Sequence, residues 1–176
     1  QILFAPTATG PLFVVSSHGG VPEQATWLDS TRNEAGHRFP CFLPDGKHFV
    51  YASLPRGPQG YDIYVSSLGS RTSRKLFTAT SAPMYAEPGY LLFSRDNKVM
   101  AQGFDAAKLS LSGEAFAVAP APVASDLDAE PVATASKNGR MVLLLPRLRD
   151  RELKWFDRSG RLLGTIALAA DWSSPN

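Results

Sequence analysis

The chain has few of the features that mark a catalytic, membrane or nucleic-acid-binding protein. It has one cysteine, Cys41, among 176 residues, which excludes an intrachain disulfide and a cysteine-rich zinc site. We expect Cys41 to behave as a small buried hydrophobic residue. The 18 Lys and Arg residues nearly balance the 16 Asp and Glu residues, and a net charge of +2 is too small to indicate a surface for nucleic acid.

Long apolar runs are also missing. No run approaches the roughly 18–20 residues that a membrane-spanning helix needs, and the amino end lacks the pattern of a signal peptide. We therefore predict no nucleic-acid partner and no direct membrane insertion. The chain opens on Gln1 and enters the strand-like segment "ILFA" at once. From this opening we expect a piece of a longer polypeptide.

The common catalytic motifs are absent as well. The sequence has no His-Glu-x-x-His motif, no Walker loop and no Gly-x-Ser-x-Gly motif. We therefore predict no catalytic residue, no cofactor and no metal site. Histidines are frequent metal ligands, but His18, His37 and His48 fall in different parts of the predicted strand register, so we expect no shared site.

A repeat is present. Four turn glycines are separated by 49, 44 and 47 residues, namely Gly20, Gly69, Gly113 and Gly160. Between them lie short apolar runs rich in Val, Ile, Phe, Tyr and Leu, which are typical of β-strands. Asp45-Gly46 and Asn138-Gly139 predict tight type I′ hairpins.

These signals predict an all-β fold in one domain over residues 1–176. The expected units are 1–30, 37–79, 81–120 and 130–168, with the start of another strand at 171–176. The expected strands are 2–5, 11–17 and 25–28, then 38–43, 47–53, 61–67 and 74–78, then 82–86, 90–94, 98–104 and 115–119, then 131–136, 141–145, 152–157 and 162–167.

A single four-stranded sheet cannot bury both of its faces. Sheets stacked radially around an axis do so and leave only short edges. We therefore predict a β-propeller of four-stranded antiparallel blades, with about four blades in this chain. These would form either a small closed ring or part of a larger propeller. A β-sandwich is the alternative fold.

Several segments resemble a known family. "HRFPCFLPDGKHFVYAS" and "GYDIYVSSLGS" resemble the TolB-type, WD-like propeller repeat, although "APMYAEPGY" at 82–90 replaces its Asp-Gly hairpin. "YLLFSRDNKVMAQGFD" and "ELKWFDRSGRLLGTI" are similar to the carboxyl-terminal propellers of bacterial membrane-anchored serine/threonine protein kinases. The resemblance implies a non-catalytic module that binds a protein or peptide. It further implies the extracytoplasmic sensor or scaffold part of a larger bacterial protein.

In such propellers the loops that enter the innermost strand and those that join the second and third strands share one rim. The residues that we predict to bind a partner there are His37, Arg38, Arg56, Gln59, Arg147, Arg149 and Arg151. Arginines suit an anionic ligand or an acidic peptide. The alternative is a solvated loop, because Asp150 and Glu152 interleave with the arginines.

Two other functions remain open from the sequence. The chain could be the propeller domain of an enzyme, either a prolyl-oligopeptidase-like hydrolase or a metal-dependent polysaccharide lyase. It could also be an assembly element, in which exposed blade faces associate with copies of the chain. Among the tryptophans we expect Trp155 to fill core space.

Overall fold

The strands form four antiparallel sheets, and each sheet is a meander in which sequence neighbours are also sheet neighbours. Apart from one short 3-10 turn at Ser30–Arg32, the described part of the chain contains no helix. The all-β prediction is therefore confirmed. The computed structural model of the protein describes residues 1–55, 60–121, 133–136, 140–145 and 152–167.

In the second, third and fourth sheets every predicted strand is present, but the strand predicted at 38–43 begins at Glu34 and the one predicted at 115–119 begins at Ser110. The first sheet contains β1 (Ile2–Phe4), β2 (Phe13–Val15) and β3 (Glu23–Gln24). The second contains β4 (Glu34–Phe42), β5 (His48–Pro55), β6 (Tyr61–Ser67) and β7 (Ser73–Ala79). The third contains β8 (Met84–Ala86), β9 (Tyr90–Arg95), β10 (Lys98–Asp105) and β11 (Ser110–Pro120). The fourth contains β12 (Ala133–Ala135), β13 (Met141–Leu145), β14 (Glu152–Phe156) and β15 (Leu162–Ala167).

The sheets are stacked in chain order around a common centre. The first strands of the complete sheets lie side by side, β4 against β8 and β8 against β12, and β1 lies against β4. Apolar side chains fill the three spaces between successive sheets, which we call the first, second and third joints. This order is that of a β-propeller and not of two clasped layers, so the sandwich alternative is wrong.

The third strand of the first sheet differs from its prediction. It was expected at 25–28 and is found at Glu23–Gln24. Ala25 still donates its N–H to the Leu12 carbonyl oxygen at 2.8 Å, but the Leu12 N–H donates to the Thr26 hydroxyl oxygen, also at 2.8 Å. A side chain thus takes the place of the next backbone partner, and the ladder ends there.

The third sheet departs from the expected turn spacing. Gly113 was predicted as a turn, but it lies inside β11 with a φ of 63°. The pairing shifts between Ala101–Phe116 and Gly103–Ser112, so Gly113 belongs to a β-bulge. The turn itself is at residues 106–109, where the Asp105 carboxylate accepts the backbone N–H groups of Ala107 and Lys108 at 3.0 Å.

The Asp45-Gly46 hairpin is not of type I′, which would require a positive φ at both residues. Gly46 has a φ of 64°, but Asp45 does not share it. The reason is Pro44: its ring fixes a negative φ and makes it the second residue of a turn closed by Gly46 N–H and the Leu43 carbonyl oxygen at 3.0 Å. Asn138-Gly139 lies outside the described residues.

A two-residue turn with the type I′ signature occurs at a pair that the sequence did not single out. Asp96 and Asn97 have φ values of 51° and 56°, and they join Arg95 to its partner Lys98. Both residue types tolerate the left-handed region because their short polar side chains can bond locally.

Candidate functional site

Of the predicted rim residues, the structure describes His37 and Arg38, and both lie in strand β4. His37 lies inside β4 with a side chain that is 1% exposed, so it is not on an exposed rim loop. Arg38 follows it in β4, half-buried, with its guanidinium carbon 4.9 Å from the centre of the Phe39 ring. The other predicted site residues lie outside the described residues: Arg56, Gln59, Arg147, Arg149 and Arg151.

His37 belongs to a buried polar chain across the first joint. Its Nδ1 lies 2.8 Å from the Thr26 hydroxyl oxygen, which already accepts the N–H of Leu12. Its Nε2 lies 3.2 Å from Glu34 Oε2, which also accepts the Asp29 N–H at 2.7 Å. The Thr26 hydroxyl therefore donates to Nδ1, and Nε2–H donates to the carboxylate. We call Thr26, His37 and Glu34 the joint triad.

The joint triad is electrostatically suited to a neutral imidazole. Burial lowers the pKa of His37 below its usual 6.5; the Glu34 carboxylate opposes this shift, and the Arg32 guanidinium adds to it. The edge of the Tyr51 ring packs on the imidazole, with ring centres 4.7 Å apart. Burial also raises the pKa of Tyr51 to about 12. Both rings are thus uncharged at neutral pH.

A hydroxyl, an imidazole and a carboxylate in series are the parts of a hydrolase triad, but this arrangement is structural. Thr26 is 4% exposed, and its oxygen already accepts the Leu12 N–H. The cavity beside Thr26 and Tyr51 has a volume of about 10 Å³, which is barely enough for one water molecule. No substrate can reach Thr26, and the joint triad ties the first sheet to the second.

A polar cavity of about 260 Å³ opens beside the joint triad, and we call it the rim pocket. It lies where the segment entering β4 meets the end of β5, the start of β6 and β7. Arg56 and Gln59 belong to the connection between β5 and β6, outside the described residues. The pocket is lined by Arg32, Asn33, Glu34, Ser53, Pro55, Gly60, Asp62, Tyr64, Lys75 and Thr78.

Opposite charges alternate around the rim pocket. On one side Lys75 Nζ lies 2.7 Å from Asp62 Oδ1, which also accepts the Thr78 hydroxyl at 2.8 Å. On the other side Arg32 Nε lies 3.4 Å from Glu34 Oε1. Two cations and two carboxylates therefore line one small space. A polar ligand with groups of both signs, such as a peptide segment, matches this balance better than a purely acidic ligand.

Tyr64 forms the floor between the two ion pairs. Arg32 lies over its ring with the guanidinium carbon 4.9 Å from the ring centre, a cation–π contact. Burial lowers the pKa of Arg32, but the Glu34 carboxylate and the Tyr64 side chain outweigh this effect, and the net shift is upward. Arg32 thus stays charged and has a fixed position at the pocket mouth.

Sequence reasoning missed the rim pocket for two reasons. Arg32 and Glu34 fall between the predicted first unit, which ends at 30, and the predicted second unit, which begins at 37. Asp62 and Lys75 occupy strands in which isolated charged residues normally face water. One signal was available, since Asp62 and Tyr64 are two apart in a strand and must share a face.

The other two histidines lie apart from His37. His18 is exposed in a turn, where its backbone N–H donates to Ser16 Oγ at 3.1 Å. His48 Nδ1 lies 2.5 Å from Asp45 Oδ2. Within the described ranges, no group of three or more potential ligands is close enough to hold a metal ion. Nor does that part of the chain contain a helix long and apolar enough to cross a membrane.

A second cavity, which we call the apolar cleft, lies between the third and fourth sheets. Its volume is about 290 Å³, and its charged residues are few. Tyr90 and Phe116 stand edge to face at 6.0 Å, and both are partly exposed. It is lined by Ala86, Glu87, Pro88, Tyr90, Leu92, Ala101, Phe116, Val118, Ala135, Met141, Asp157 and Arg158.

Comparisons with known proteins give structural neighbours only. No protein-family model matches the chain, and no curated protein matches its sequence. The chain is similar to TolB from Acinetobacter baumannii with 13% identity and a TM-score of 0.47, over 96% of this chain and 51% of TolB. It is also similar to the β-propeller domain of the trilobed protease from Pyrococcus furiosus, which has an open velcro topology. There the identity is 14% and the TM-score 0.49, over 89% of this chain and 47% of that domain.

The chain thus spans about half the length of each of these structures. At these scores the likeness adds nothing to what the order of the sheets already shows. The expected resemblance to TolB-type propellers has a counterpart among these neighbours, whereas the kinase context stays a prediction. The described part of this chain is a β-propeller arrangement of antiparallel blades.

Proposed function

We propose that the protein is a non-catalytic module that binds a protein or peptide partner at the rim pocket. The observation that carries this proposal is the set of alternating charges around a cavity of about 260 Å³ at the end of the second sheet. The joint triad, which has the composition of a hydrolase triad, is buried, and this favours binding over catalysis at this rim.

The pocket is of a size to accept one or two side chains of a partner. The Lys75–Asp62 pair is partly exposed, with Lys75 48% and Asp62 37% exposed, so a partner can compete for it without a large desolvation cost, whereas Glu34 in the second pair is only 3% exposed. Arg32 offers a planar donor group for a carboxylate or a carbonyl of the partner. The buried joint triad holds Glu34 in place behind this surface.

Under this proposal the module is the sensor or scaffold part of a larger bacterial protein and lies outside the cytoplasm. The resemblance of its repeats to kinase-associated propellers supports this context. Arg38 and, beyond the described residues, Arg56, Gln59, Arg147, Arg149 and Arg151 remain candidates for the same binding rim. The rival function is that of a propeller domain in an enzyme.

The test is selection of binders from a peptide library displayed on phage, followed by titration of the selected peptides. Lys75→Glu should weaken their binding about 10-fold or more, because it reverses one charge of the pocket. The matched control is Lys108→Glu, since Lys108 is also paired with an aspartate but is 80% exposed in the turn between β10 and β11. Binding that both variants weaken equally, or neither does, would refute the rim pocket as the site. Cleavage of the selected peptides would favour the enzymatic rival.

A further inference from the structure

The apolar cleft between the third and fourth sheets is a gap in a stack of packed sheets. Three alanines of the facing strands line it, Ala86, Ala101 and Ala135. Protein interiors have few voids larger than a water molecule, so about 290 Å³ between two sheets is a large space. Trp155, which we expected to fill core space, is half-buried and does not line the cleft, whereas its neighbour Phe156 packs in the third joint. The cleft therefore exists because small side chains face each other across this joint.

The size of the apolar cleft suits one aromatic group. An apolar protein cavity of about 150 Å³ holds a benzene molecule, and sites for small molecules begin near about 300 Å³. At about 290 Å³ the cleft thus has room for one or two rings. Water would find few hydrogen-bond partners on walls made of residues such as Leu92, Val118 and Met141. An apolar group is therefore the better occupant.

Two exposed rings extend the apolar surface beyond the cleft. Tyr90 is 38% and Phe116 50% exposed, and the rings meet edge to face with their centres 6.0 Å apart. Each ring lies two residues from a wall residue of the same strand, Leu92 in β9 and Val118 in β11, so it shares the face turned to the fourth sheet. A free aromatic molecule in the cleft leaves the outer surfaces of these rings uncovered. A peptide that lies across the mouth covers them and gains ring contacts as well.

One charged residue from each sheet is available to a ligand at the cleft. Glu87 follows β8 in the third sheet, and Arg158 follows β14 in the fourth. Within the part of the chain that the structure describes, neither side chain forms an ion pair. Asp157, which also lines the cleft, is instead held by Arg161 Nε at 3.1 Å. A peptide with a basic residue on one side of its aromatic residue and an acidic residue on the other would meet an opposite charge at each sheet.

We propose that the apolar cleft binds a peptide segment of a protein partner through one aromatic side chain. The ring enters between the third and fourth sheets and packs on Tyr90 and Phe116. A basic residue beside it faces Glu87, and an acidic residue on its other side faces Arg158. No residue that lines the rim pocket also lines the cleft. The cleft is therefore a second binding site, and it does not depend on what the rim pocket binds.

The first experiment titrates the protein with blocked tripeptides by isothermal calorimetry. The probes are Lys-Trp-Asp and Asp-Trp-Lys, because a peptide can lie across the mouth in either direction. Replacing the tryptophan of the tighter probe by alanine should weaken its binding about 10-fold or more, the loss expected for a buried aromatic anchor. Free indole should bind more weakly than that probe. No binding of either tripeptide, or equal affinity for the alanine peptide or for indole, would overturn the proposal.

The second experiment changes the cleft itself. Ala135→Phe should weaken binding of the tighter probe about 10-fold or more, because the added ring occupies the same space. Phe116→Ala should weaken it about 5-fold. The matched control is Leu163→Ala, since Leu163 is 49% exposed in β15 and does not line the cleft. Its binding should equal that of the native protein.

Thermal unfolding shows which of these variants are folded. Because Phe116 is half exposed, Phe116→Ala tests the site even if Ala135→Phe does not fold. Native affinity in folded Ala135→Phe, or in Phe116→Ala, would overturn the proposal. So would a loss in Leu163→Ala as large as that in Phe116→Ala.

The third experiment tests the charge at the fourth sheet. Arg158→Glu should weaken binding of the tighter probe about 3-fold, because an exposed charge pair contributes little. Replacing the aspartate of that probe by lysine should reverse the preference, so that the variant binds the new peptide better than the native protein does. Equal binding of both peptides by variant and native protein would contradict the contact with Arg158.

Discussion

The first and third joints solve the same packing problem with different residues. The first joint is filled by rings, with Phe49, Tyr51 and Tyr64 nearly or fully buried, and the joint triad adds directional hydrogen bonds. The third joint is built mainly from small aliphatic residues such as Ala101 and Ala133, and it leaves the apolar cleft of about 290 Å³. Large rings and buried hydrogen bonds fix the first sheet on the second, whereas small residues leave room between the third and fourth sheets.

This difference shows which pair of sheets has a strongly fixed packing arrangement and which pair has a weakly fixed one. Rings in contact gain more than their buried area alone, and Tyr51 stacks on Tyr64 with ring centres 5.7 Å apart. A buried hydrogen-bonded pair adds specificity because a wrong register would leave its members without partners. The third joint has fewer such constraints. Its sheets are expected to separate at a lower cost in free energy.

The largest effect is expected from loss of a ring in the first joint. Phe49 is 0% exposed, so Phe49→Ala should lower the free energy of unfolding by about 4 kcal/mol. Val99→Ala in the third joint should lower it by only about 1–2 kcal/mol, because fewer atoms are removed. Urea unfolding of both variants measures the two losses in free energy. Equal losses would contradict the comparison.

The next effect concerns the joint triad. His37→Ala removes the partner of both Thr26 and Glu34 and should lower the free energy of unfolding by about 3 kcal/mol. Adding Glu34→Gln should cost less in that background than in the native protein, because the carboxylate has already lost its partner. A double-mutant cycle in urea measures this coupling. Strictly additive losses would show that the buried pair is not an interacting unit.

The joint triad should also make the first joint sensitive to pH. The pKa of His37 is lowered in the folded protein, so below about 6.5 the unfolded chain binds the extra proton more readily. The contribution of the neutral His37 imidazole to the free energy of unfolding is therefore fully present above about pH 6.5. It is lost as the pH falls towards the lowered pKa, by at most about 1.4 kcal/mol per pH unit. His37→Gln should show a shallower loss between pH 7 and pH 5. Parallel curves for the two proteins would contradict this.

A smaller pH effect is expected at the Asp45 turn. Hydrogen bonds from His48 lower the pKa of Asp45 to about 2. The carboxylate thus stabilises the fold above its usual pKa of 3.8, and this contribution is lost as the pH falls towards 2. Because Asp45 is 46% exposed, the amount should stay below about 1 kcal/mol. The gap in melting temperature between native protein and Asp45→Asn should narrow over this range, and a constant gap would refute the assignment.

The smallest effect tests the room in the third joint. Ala135 is half-buried at the apolar cleft, so Ala135→Val should raise the free energy of unfolding by about 0.5 kcal/mol. Ala52 in the second joint is 0% exposed and packs near Ile63 and Phe93, so Ala52→Val should instead lower it by about 1–2 kcal/mol. Thermal unfolding measures both changes. If both substitutions destabilise the protein equally, the apolar cleft does not have room for the added methyl groups.

Much of the fold was predictable because its information is local. Strands such as β6 and β10 are short apolar runs bounded by turn residues, and they were predicted within a residue or two. The misses arose where one residue changed a local rule. Pro44 displaced the Asp45-Gly46 turn by its fixed φ, and Gly113 adopted a positive φ inside a strand as a bulge.

The candidate site was predictable only in its general place. His37 looks like a loop residue in sequence because its partner Thr26 lies eleven residues away, in the segment that follows the first sheet. The rim pocket needs Arg32, Asp62 and Lys75 from separate elements, and no local pattern brings these together. The contact of Thr26 with His37 is set by the packing of the first sheet on the second, and the contact of Arg32 with Tyr64 by the fold of the segment that enters the second sheet. A single sequence displays neither.

The central claim is that successive sheets are arrayed with their first strands side by side, and the only cysteine allows a direct test. The Tyr85 N–H in β8 lies 3.4 Å from Cys41 Sγ in β4, and both residues belong to the second joint. The measurement is the disulfide map of oxidised Tyr85→Cys. The account predicts a disulfide between positions 41 and 85 within a single chain. Two free thiols, or a disulfide only between chains, would contradict it.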